Sequence, residues 1–436
     1  MADLLPTCGY FLLLLYLIQR SGFFRAPGLG KRTIGALFLL KVAAGTFLWG
    51  VYTFHYTDRL NADIYKFYDD GNIMYGALYG HPLDFLRMIT GIGSEAPHIS
   101  TQYYGVMNNW YRQHDTGYYN DAHTMIRFNA LLRVFSFGIF HVHTVFFAFL
   151  ALTGQVAMYK AFLQWVPELP KAWMAGLFLW PSVLLWSSGP IKEALLFFGW
   201  GIFLLQVLRR MQGPLPWTGW AWMTLGLLVQ FTLKSYVLAC MLPGLLALWW
   251  CRRTDGRRAG PKFIALYAAA IAAALVLPLL SPGLDVVAII QQKQRDMLGV
   301  VEAVSPGSYV PTDRMALGAM GLLKTMPHAL YLTFLSPLVS WDIGALGLLG
   351  ALENAVLLAL VPVAWLWRRP WGRVDRPMFF FCASFCLALA LLIGWTTPVV
   401  GALIRYRIPI LPFYTLALLL VADPDKVRRH LPFLRQ

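Results

Sequence analysis

Residues 61–76 read NADIYKFYDDGNIMYG and place three carboxylates, Asp63, Asp69 and Asp70, within eight residues of a chain whose charged residues make up only 13% of the total. A carboxylate held beside a membrane surface, in a water-poor pocket, can take a proton from a hydroxyl acceptor, so the cluster is a candidate general base. Read as a helix, Asp63 and Asp70 lie seven apart and share a face, while Asp69 is turned about a hundred degrees aside. Ile64, Tyr68 and Tyr75 fall on a neighbouring stripe, an apolar flank suited to lying along the interface.

Other charged residues stand where charge is costly. WSSGPIKEALLFF puts Lys192 and Glu193 after a Gly-Pro turn at the mouth of an apolar segment, and FTLKSYVLAC leaves Lys234 in a tight hairpin between two more. TTPVVGALIRYRIPILPF carries Arg405 and Arg407 into the last apolar segment, with prolines following. Guanidinium forks suit a phosphate, and fixed cations stabilise charge that grows on a phosphate leaving group. Plainer readings stand beside these: an interfacial anchor for Lys192 and Glu193, and snorkelling for Lys234 and the arginines.

YYNDAHTMIRFNALLRVFSFG reads as an amphipathic helix, with Ile126, Leu131 or Leu132, Val134 and Phe135 toward lipid and Arg127 and Asn129 polar. Asp121 and His123 precede it and are placed to cap it. His141 and His143 stand at the start of the next span, as ligands or as interfacial, hydrogen-bonded side chains. Lys41 and Glu353 lie inside apolar spans; Glu353 is placed to pair with an arginine, to bind a donor headgroup or to join helices through polar contacts. The five cysteines sit in or beside apolar runs, without partners at zinc-ligand spacing, and read as packing.

The elements that must position these groups follow from composition. Of 436 residues, 58% are hydrophobic, and the charged share is about half that of soluble proteins. Apolar runs recur at transmembrane-helix length, giving an all-α, polytopic membrane protein with spans near 4–19, 34–54, 143–162, 172–188, 191–208, 217–233, 236–250, 262–280, 346–366, 377–395 and 402–421. The first run lacks a basic leader and a cleavage site and reads as a retained span. Alternate connections, beginning after the first span, hold 4, 2, 2, 5, 4 and 4 Lys and Arg residues, together 21 of 36. The positive-inside rule makes that side cytoplasmic and the N-terminus external. The net charge of +15 is thereby a topology signal, and nucleic acid is not expected as a partner. The chain reads as one transmembrane domain with two large extracytoplasmic loops, 55–142 with juxtamembrane helices and 281–345. Loops of that length are usually functional or disordered, and the first, with TQYYGVMNNWYRQHDTGYYND, is too aromatic for disorder.

A large first extracytoplasmic loop, an aspartate soon after a span, an aromatic residue four positions on and a small residue further along resemble the GT-C glycosyltransferases, among them the protein mannosyltransferases and the lipid A aminoarabinose transferases. Asp63, Phe67 and Gly71 match that pattern; Ile64 stands where the family frequently has Glu, and the first span is additional. The resemblance implies that Asp63 is the base, with Asp69 and Asp70 as base alternatives or acceptor-orienting groups. It implies a polyprenyl-phosphate sugar donor, its phosphate held by Arg405, Arg407 and Lys192, and a glycan, glycolipid or protein acceptor at the outer face of the plasma membrane, within envelope glycan or glycolipid assembly. No cofactor is required in principle, although the acids could recruit a divalent cation. A polysaccharide polymerase or ligase using lipid-linked glycans is the alternative; a transporter or flippase would concentrate charge nearer the midplane.

Overall fold

The computed structural model describes residues 3–56, 58–60, 62–111, 120–304, 306–337 and 344–431. Part of the aromatic stretch of the first loop, residues 112–119, lies outside them. The described residues are nearly all helical, with isolated bridges and no strand. Among the described residues, seven helices are long and apolar enough to cross a membrane, or eight if one bent pair counts as a single span, so the chain is a multi-pass membrane protein.

Packing divides the chain into two compact units where the sequence reads as one continuous domain: residues 1–161 with 184–235, and residues 162–183 with 236–436. In chain order the first part contributes α1 (Leu4–Arg20), α2 (Lys31–Gly50), α3 (Asp63–Gly80), α4 (Pro82–Thr90), α5 (Pro97–Gln102), α6 (Asp121–Ser136) and α7 (Phe140–Leu163). Then come α8 (Pro170–Phe178), α9 (Pro181–Trp186), α10 (Lys192–Gln212) and α11 (Trp217–Arg253). The remainder is α12 (Ala259–Leu280), α13 (Val286–Val304), α14 (Ala319–Leu330), α15 (Gly344–Leu366), α16 (Arg376–Thr396), α17 (Val400–Tyr406), α18 (Ile410–Val421) and α19 (Pro424–His430).

The segments read as spans differ from these helices at identifiable breaks. The run 172–188 is divided into α8 and α9 before Pro181, whose ring has no N–H for the ladder and crowds the preceding turn. The runs 217–233 and 236–250 form one helical stretch of 37 residues, broken at Lys234, which leaves helical conformation (φ −146°, ψ 68°). Unbroken, that stretch would measure about 55 Å against a hydrocarbon core of about 30 Å. The last run is α17 and α18, bent by 60° across a short break that contains Pro409. Both long loops are built from helices: α3 to α6 occupy the first, α13 and α14 the second.

Within the first unit, α7 and α10 approach backbone to backbone. A Cβ on Gly154 would lie 2.0 Å from the Phe197 carbonyl oxygen, and one on Gly201 would lie 1.8 Å from that of Gly154. Small residues that admit such contact are the usual means of packing helices in lipid, where apolar burial gives little preference for protein over lipid tails. In the second unit, α16 supplies a fully buried stripe that includes Phe381 and Phe385, both against Phe413 of α18 at ring separations of 5.6 and 4.8 Å.

The glycine contact yields a direct test. Gly201→Val is expected to lower stability by about 1–3 kcal/mol, the usual scale of overpacking. Gly76→Ala, on α3 with open space where its Cβ would stand, should be neutral or stabilise by up to about 1 kcal/mol, because it removes a helical glycine. Equal thermal unfolding midpoints for the two purified variants would show that the α7–α10 approach is not a stability determinant.

Candidate functional site

The three aspartates of α3 share a helix but not an environment. Asp63 is its first residue, with a side chain 33% exposed and an oxygen 3.3 Å from Lys66 Nζ. Asp69 receives both arms of Arg59, Nε at 2.9 Å and Nη2 at 2.7 Å, while the same guanidinium lies over the Tyr65 ring. Asp70 is fully buried and accepts the backbone N–H groups of Asn108 (3.0 Å) and Asn109 (2.8 Å). Burial pushes its carboxyl above the usual range, against the pull of those N–H donors. Asp70 therefore ties the 104–110 segment to α3, and a role as proton acceptor is corrected on that ground: both oxygens are engaged and the group is sealed from solvent.

The helical reading holds from Asp63, where α3 begins; burial divides the acids differently from helical phase, with Asp70 buried and Asp63 and Asp69 keeping 33% and 36% exposure. The flank assigned to the interface is corrected. Ile64 and Tyr68 are buried in protein, and Tyr68 is covered by the Arg133 guanidinium at 4.2 Å. Gly71 allows close approach to α6, since a Cβ there would lie 3.0–3.2 Å from Asn129 and the backbone of Ala130 and Ile126.

Lys192 and Glu193, adjacent in sequence, reach different partners. Lys192 Nζ donates to Asp121 Oδ2 at 2.6 Å and stands over the Phe67 ring at 4.9 Å. Phe67 is one helical turn beyond Asp63, and Ala62 and Ile191 belong to one buried apolar cluster with Leu48, Ile64 and Tyr65. That cluster brings the start of α10 to the start of α3. Asp63, Lys66, Phe67, Asp121 and Lys192 thus gather where three helices begin, and the Lys192 and Asp121 side chains retain 13% and 28% exposure. Glu193 instead accepts from Lys234 at 2.8 Å, with 0% and 4% exposure. Lys234 is no snorkelling side chain; it is the buried counter-ion of Glu193 at the break in α11.

The residues at the start of α6 take roles other than those expected. The cap comes from the ND pair, but from Asn120, which accepts the Ala122 N–H at 3.0 Å; Asp121 and His123 lie within the helix. His123 stacks on Trp110, which stacks on Tyr104, and its Nε2 is 3.0 Å from the Trp110 carbonyl oxygen. Arg127 donates to the Met88 carbonyl at 2.8 Å. Ile126 and Asn129 are buried, so only Leu131, Val134 and Phe135 of the proposed lipid-facing set are exposed. His143 lies between Ser136 Oγ (2.8 Å) and Asn129 Oδ1 (2.9 Å), whereas His141 meets the Trp49 ring; they are not a ligand pair. Among the described residues, no group of three or more His, Cys, Asp or Glu side chains is arranged to hold a metal ion.

Sequence reasoning found Lys41 but no partner for it. It is buried, with Nζ 2.6 Å from Ser187 Oγ and 3.5 Å from Ser188 Oγ, so it fixes the SSGP turn that precedes Lys192. Gly45, one turn further along α2, lets the helix approach the same turn: a Cβ there would lie 2.4 Å from the Ser188 carbonyl oxygen. Arg59, Asn108 and Asn109 were missed; nothing in their spacing announces a fold contact.

In the second unit, the expected pair of phosphate forks is not what Arg407 forms. Its Nη1 donates to Asn354 Oδ1 (3.0 Å) and to the Ser336 and Thr333 carbonyls, and its Nη2 lies 3.6 Å from Glu353 Oε1. Glu353 also accepts the Ser182 N–H and hydroxyl, each at 2.7 Å. The pairing of Glu353 with an arginine is present, as a helix-joining network. The cavity beside Arg407 measures about 30 Å³, enough for one water and not for a phosphoryl group. Arg405, on α17, is also buried.

No family model, curated protein or solved structure matches this chain.

A buried ion pair is expensive to break and less so to replace. Lys234→Met and Glu193→Leu should each lower stability by about 3–5 kcal/mol, while the double variant should recover most of that loss. Denaturant unfolding of the three detergent-purified variants measures the coupling. Additive losses would show that the 2.8 Å contact contributes no coupling energy.

Proposed function

We propose that the protein is a membrane glycosyltransferase of GT-C type, which moves a sugar from a polyprenyl-phosphate-linked donor to an acceptor hydroxyl in envelope glycan or glycolipid assembly. The observation that carries this reading is the arrangement at the start of α3. A partly exposed carboxylate, Asp63, lies one helical turn from an aromatic ring whose face holds the ammonium of Lys192. In the proposed reaction, Asp63 accepts the proton of the acceptor hydroxyl as its oxygen bonds to the anomeric carbon. The bond from that carbon to the phosphate oxygen breaks, and the electron pair leaves with the phosphate. Lys192 would stabilise the charge that appears there, which is worth most in a water-poor setting. Asp121 would hold the ammonium in place until donor arrives. Phe67 keeps Lys192 close to the helix and offers an apolar wall. Asp69, held by Arg59, and Asp70, sealed beneath, support the start of the loop. Glu193 and Lys234 position α10. The reading is carried by the first unit; Arg405 and Arg407 belong to the second.

Eleven crossings, with residues 55–142 and 281–345 external, complete the proposal. The division of the 37-residue α11 at Lys234 and the weight of 21 Lys and Arg residues on alternate connections support it. In a cysteine-free background, single cysteines at Asn72 and Asp425 should be labelled by an impermeant reagent in intact cells at the first position only. Labelling at Asp425 would invert the arrangement.

The catalytic assignment separates the aspartates by two readouts. Asp63→Asn should lower turnover by about 10²–10⁴, the usual loss for a general base, with an unchanged unfolding midpoint and donor binding. Asp70→Asn should lower stability by about 1–3 kcal/mol, since the amide cannot accept both N–H donors. Asp69→Asn should affect turnover least. Reconstituted enzyme with a polyprenyl-phosphate sugar, assayed beside thermal unfolding, compares the three. A fully active Asp63→Asn protein would remove Asp63 as base and, with it, the GT-C reading.

A further inference from the structure

A second charged feature lies wholly within the second unit. A cleft of about 600 Å³ is lined by Arg252 at the end of α11, Arg257 just before α12, and Asp375, Arg376 and Pro377 at the start of α16, with Gly372 at its rim. Its volume is within the range of small-ligand sites. Three arginines face one acid, and that acid is fully committed. Asp375 Oδ2 accepts from Arg252 at 2.9 Å, and Oδ1 accepts the Met378 N–H at 3.0 Å as the cap of α16. Two positive charges are left over, on Arg257 and Arg376, and neither has a carboxylate partner among the described residues. Since Asp375 already answers the helix N-terminus, attraction for an anion comes from the side chains.

The cleft's level relative to lipid is set by its surroundings. It lies where α11 ends and where α12 and α16 begin, all three part of segments long and apolar enough to cross a membrane. Exposed tryptophans mark the same level. Arg253 stands over Trp249 at 5.4 Å, Lys262 over Trp250 at 5.7 Å and Arg376 over Trp371 at 5.8 Å. Tryptophan and basic side chains collect at the headgroup layer, where an amphipathic ring and a cation are both satisfied. A cationic cleft at that depth meets phospholipid phosphate at far higher local concentration than any dissolved anion.

We propose that this cleft binds the phosphate of an anionic phospholipid headgroup, held between Arg257 and Arg376 with Arg252 fixed behind them by Asp375. The site is independent of the glycosyltransferase reading and concerns the opposite end of these helices from that of the α13–α14 loop. Its function would be to lock the α11–α12 and α15–α16 connections together at the membrane surface.

Detergent-purified protein titrated with dioleoyl phosphatidylglycerol, dioleoyl phosphatidylcholine and inorganic phosphate, read by native mass spectrometry and thermal midpoint, tests this. Phosphatidylglycerol should bind and raise the midpoint, with the zwitterionic lipid and inorganic phosphate much weaker. Arg257→Gln with Arg376→Gln should weaken phosphatidylglycerol binding by about fivefold for each arginine lost. Gly372→Phe retains every charge and places its ring where no protein atom lies within 4 Å of the new Cβ; it should block the lipid sterically while leaving the lipid-free midpoint unchanged. Neutralising Arg209 and Arg210, at the end of α10, should leave binding intact. Wild-type affinity in Gly372→Phe, an equal loss in the Arg209/Arg210 control, or inorganic phosphate binding as tightly as the lipid would each overturn the proposal. If the double arginine variant does not fold, Gly372→Phe alone decides.

Discussion

The first unit depends on a carboxylate and an ammonium that are almost wholly buried. Glu193 and Lys234 are 41 residues apart and meet at 2.8 Å with almost no exposed surface. Neither charge could be held there alone, because desolvation of an isolated ion exceeds anything apolar packing supplies nearby. Their meeting therefore fixes the first turn of α10 against the break in α11. Lys192 is the preceding residue, so its direction follows from that of Glu193. It points to Asp121 and Phe67, and so toward the start of α3. Lys41 acts from the other side, holding the Ser187–Ser188 turn so that the chain enters α10 in one way. Two buried lysines thus determine where a third, with 13% of its side chain exposed, stands.

Much of this architecture was legible as hydropathy. Apolar runs predicted the helices because lipid requires every backbone group to be paired within the segment, and that demand does not depend on tertiary contacts. The breaks before Pro181 and at Pro409 fall inside the runs 172–188 and 402–421, which read as single spans because hydropathy is continuous across them. The interruption at Lys234 was legible as the hairpin between the runs 217–233 and 236–250; its ion pair with Glu193, 41 residues away, was not, because no local pattern encodes such a partner. The same holds for the acids. Asp69 and Asp70 are neighbours of the same type, yet one meets Arg59 at the surface and the other is buried under the 104–110 segment. Helical phase told them apart correctly; which face would be buried, and against what, it could not say. Asp121 with Lys192, and Lys41 with Ser187, join residues 71 and 146 positions apart, beyond the reach of any spacing argument.

The charges inside apolar segments show why rarity alone does not mark function. Charge in a span is costly, and at Arg407 the cost is met in part: Nη1 donates to Asn354 and two carbonyl groups, Nη2 has Glu353 at 3.6 Å as counter-ion, and Nε and Nη2 make no hydrogen bond, while Ser182 completes Glu353. A guanidinium so enclosed joins helices. It has no room to receive a phosphate unless the whole network rearranges, and the adjoining cavity is one water in size.

Accessibility combined with incomplete enclosure is the better discriminator, and it orders the charged groups of each unit. Glu193 and Lys234 are sealed, and Asp70 is sealed with its donors. Asp63, Asp121 and Lys192 keep between 13% and 33% of their side-chain surface at a point where three helices begin. Such groups gain enough from burial to have strong fields and lose little enough to exchange partners. Lys192 stands over an aromatic face beside Asp121, whose side chain keeps 28% exposure, so moving the ammonium away would leave a carboxylate that solvent reaches. The same movement at Lys234 would strand Glu193 in the interior. Burial therefore divides two adjacent charges of α10: the sealed Glu193–Lys234 pair supplies the rigidity, and the partly exposed Lys192–Asp121 pair is the one whose separation costs less.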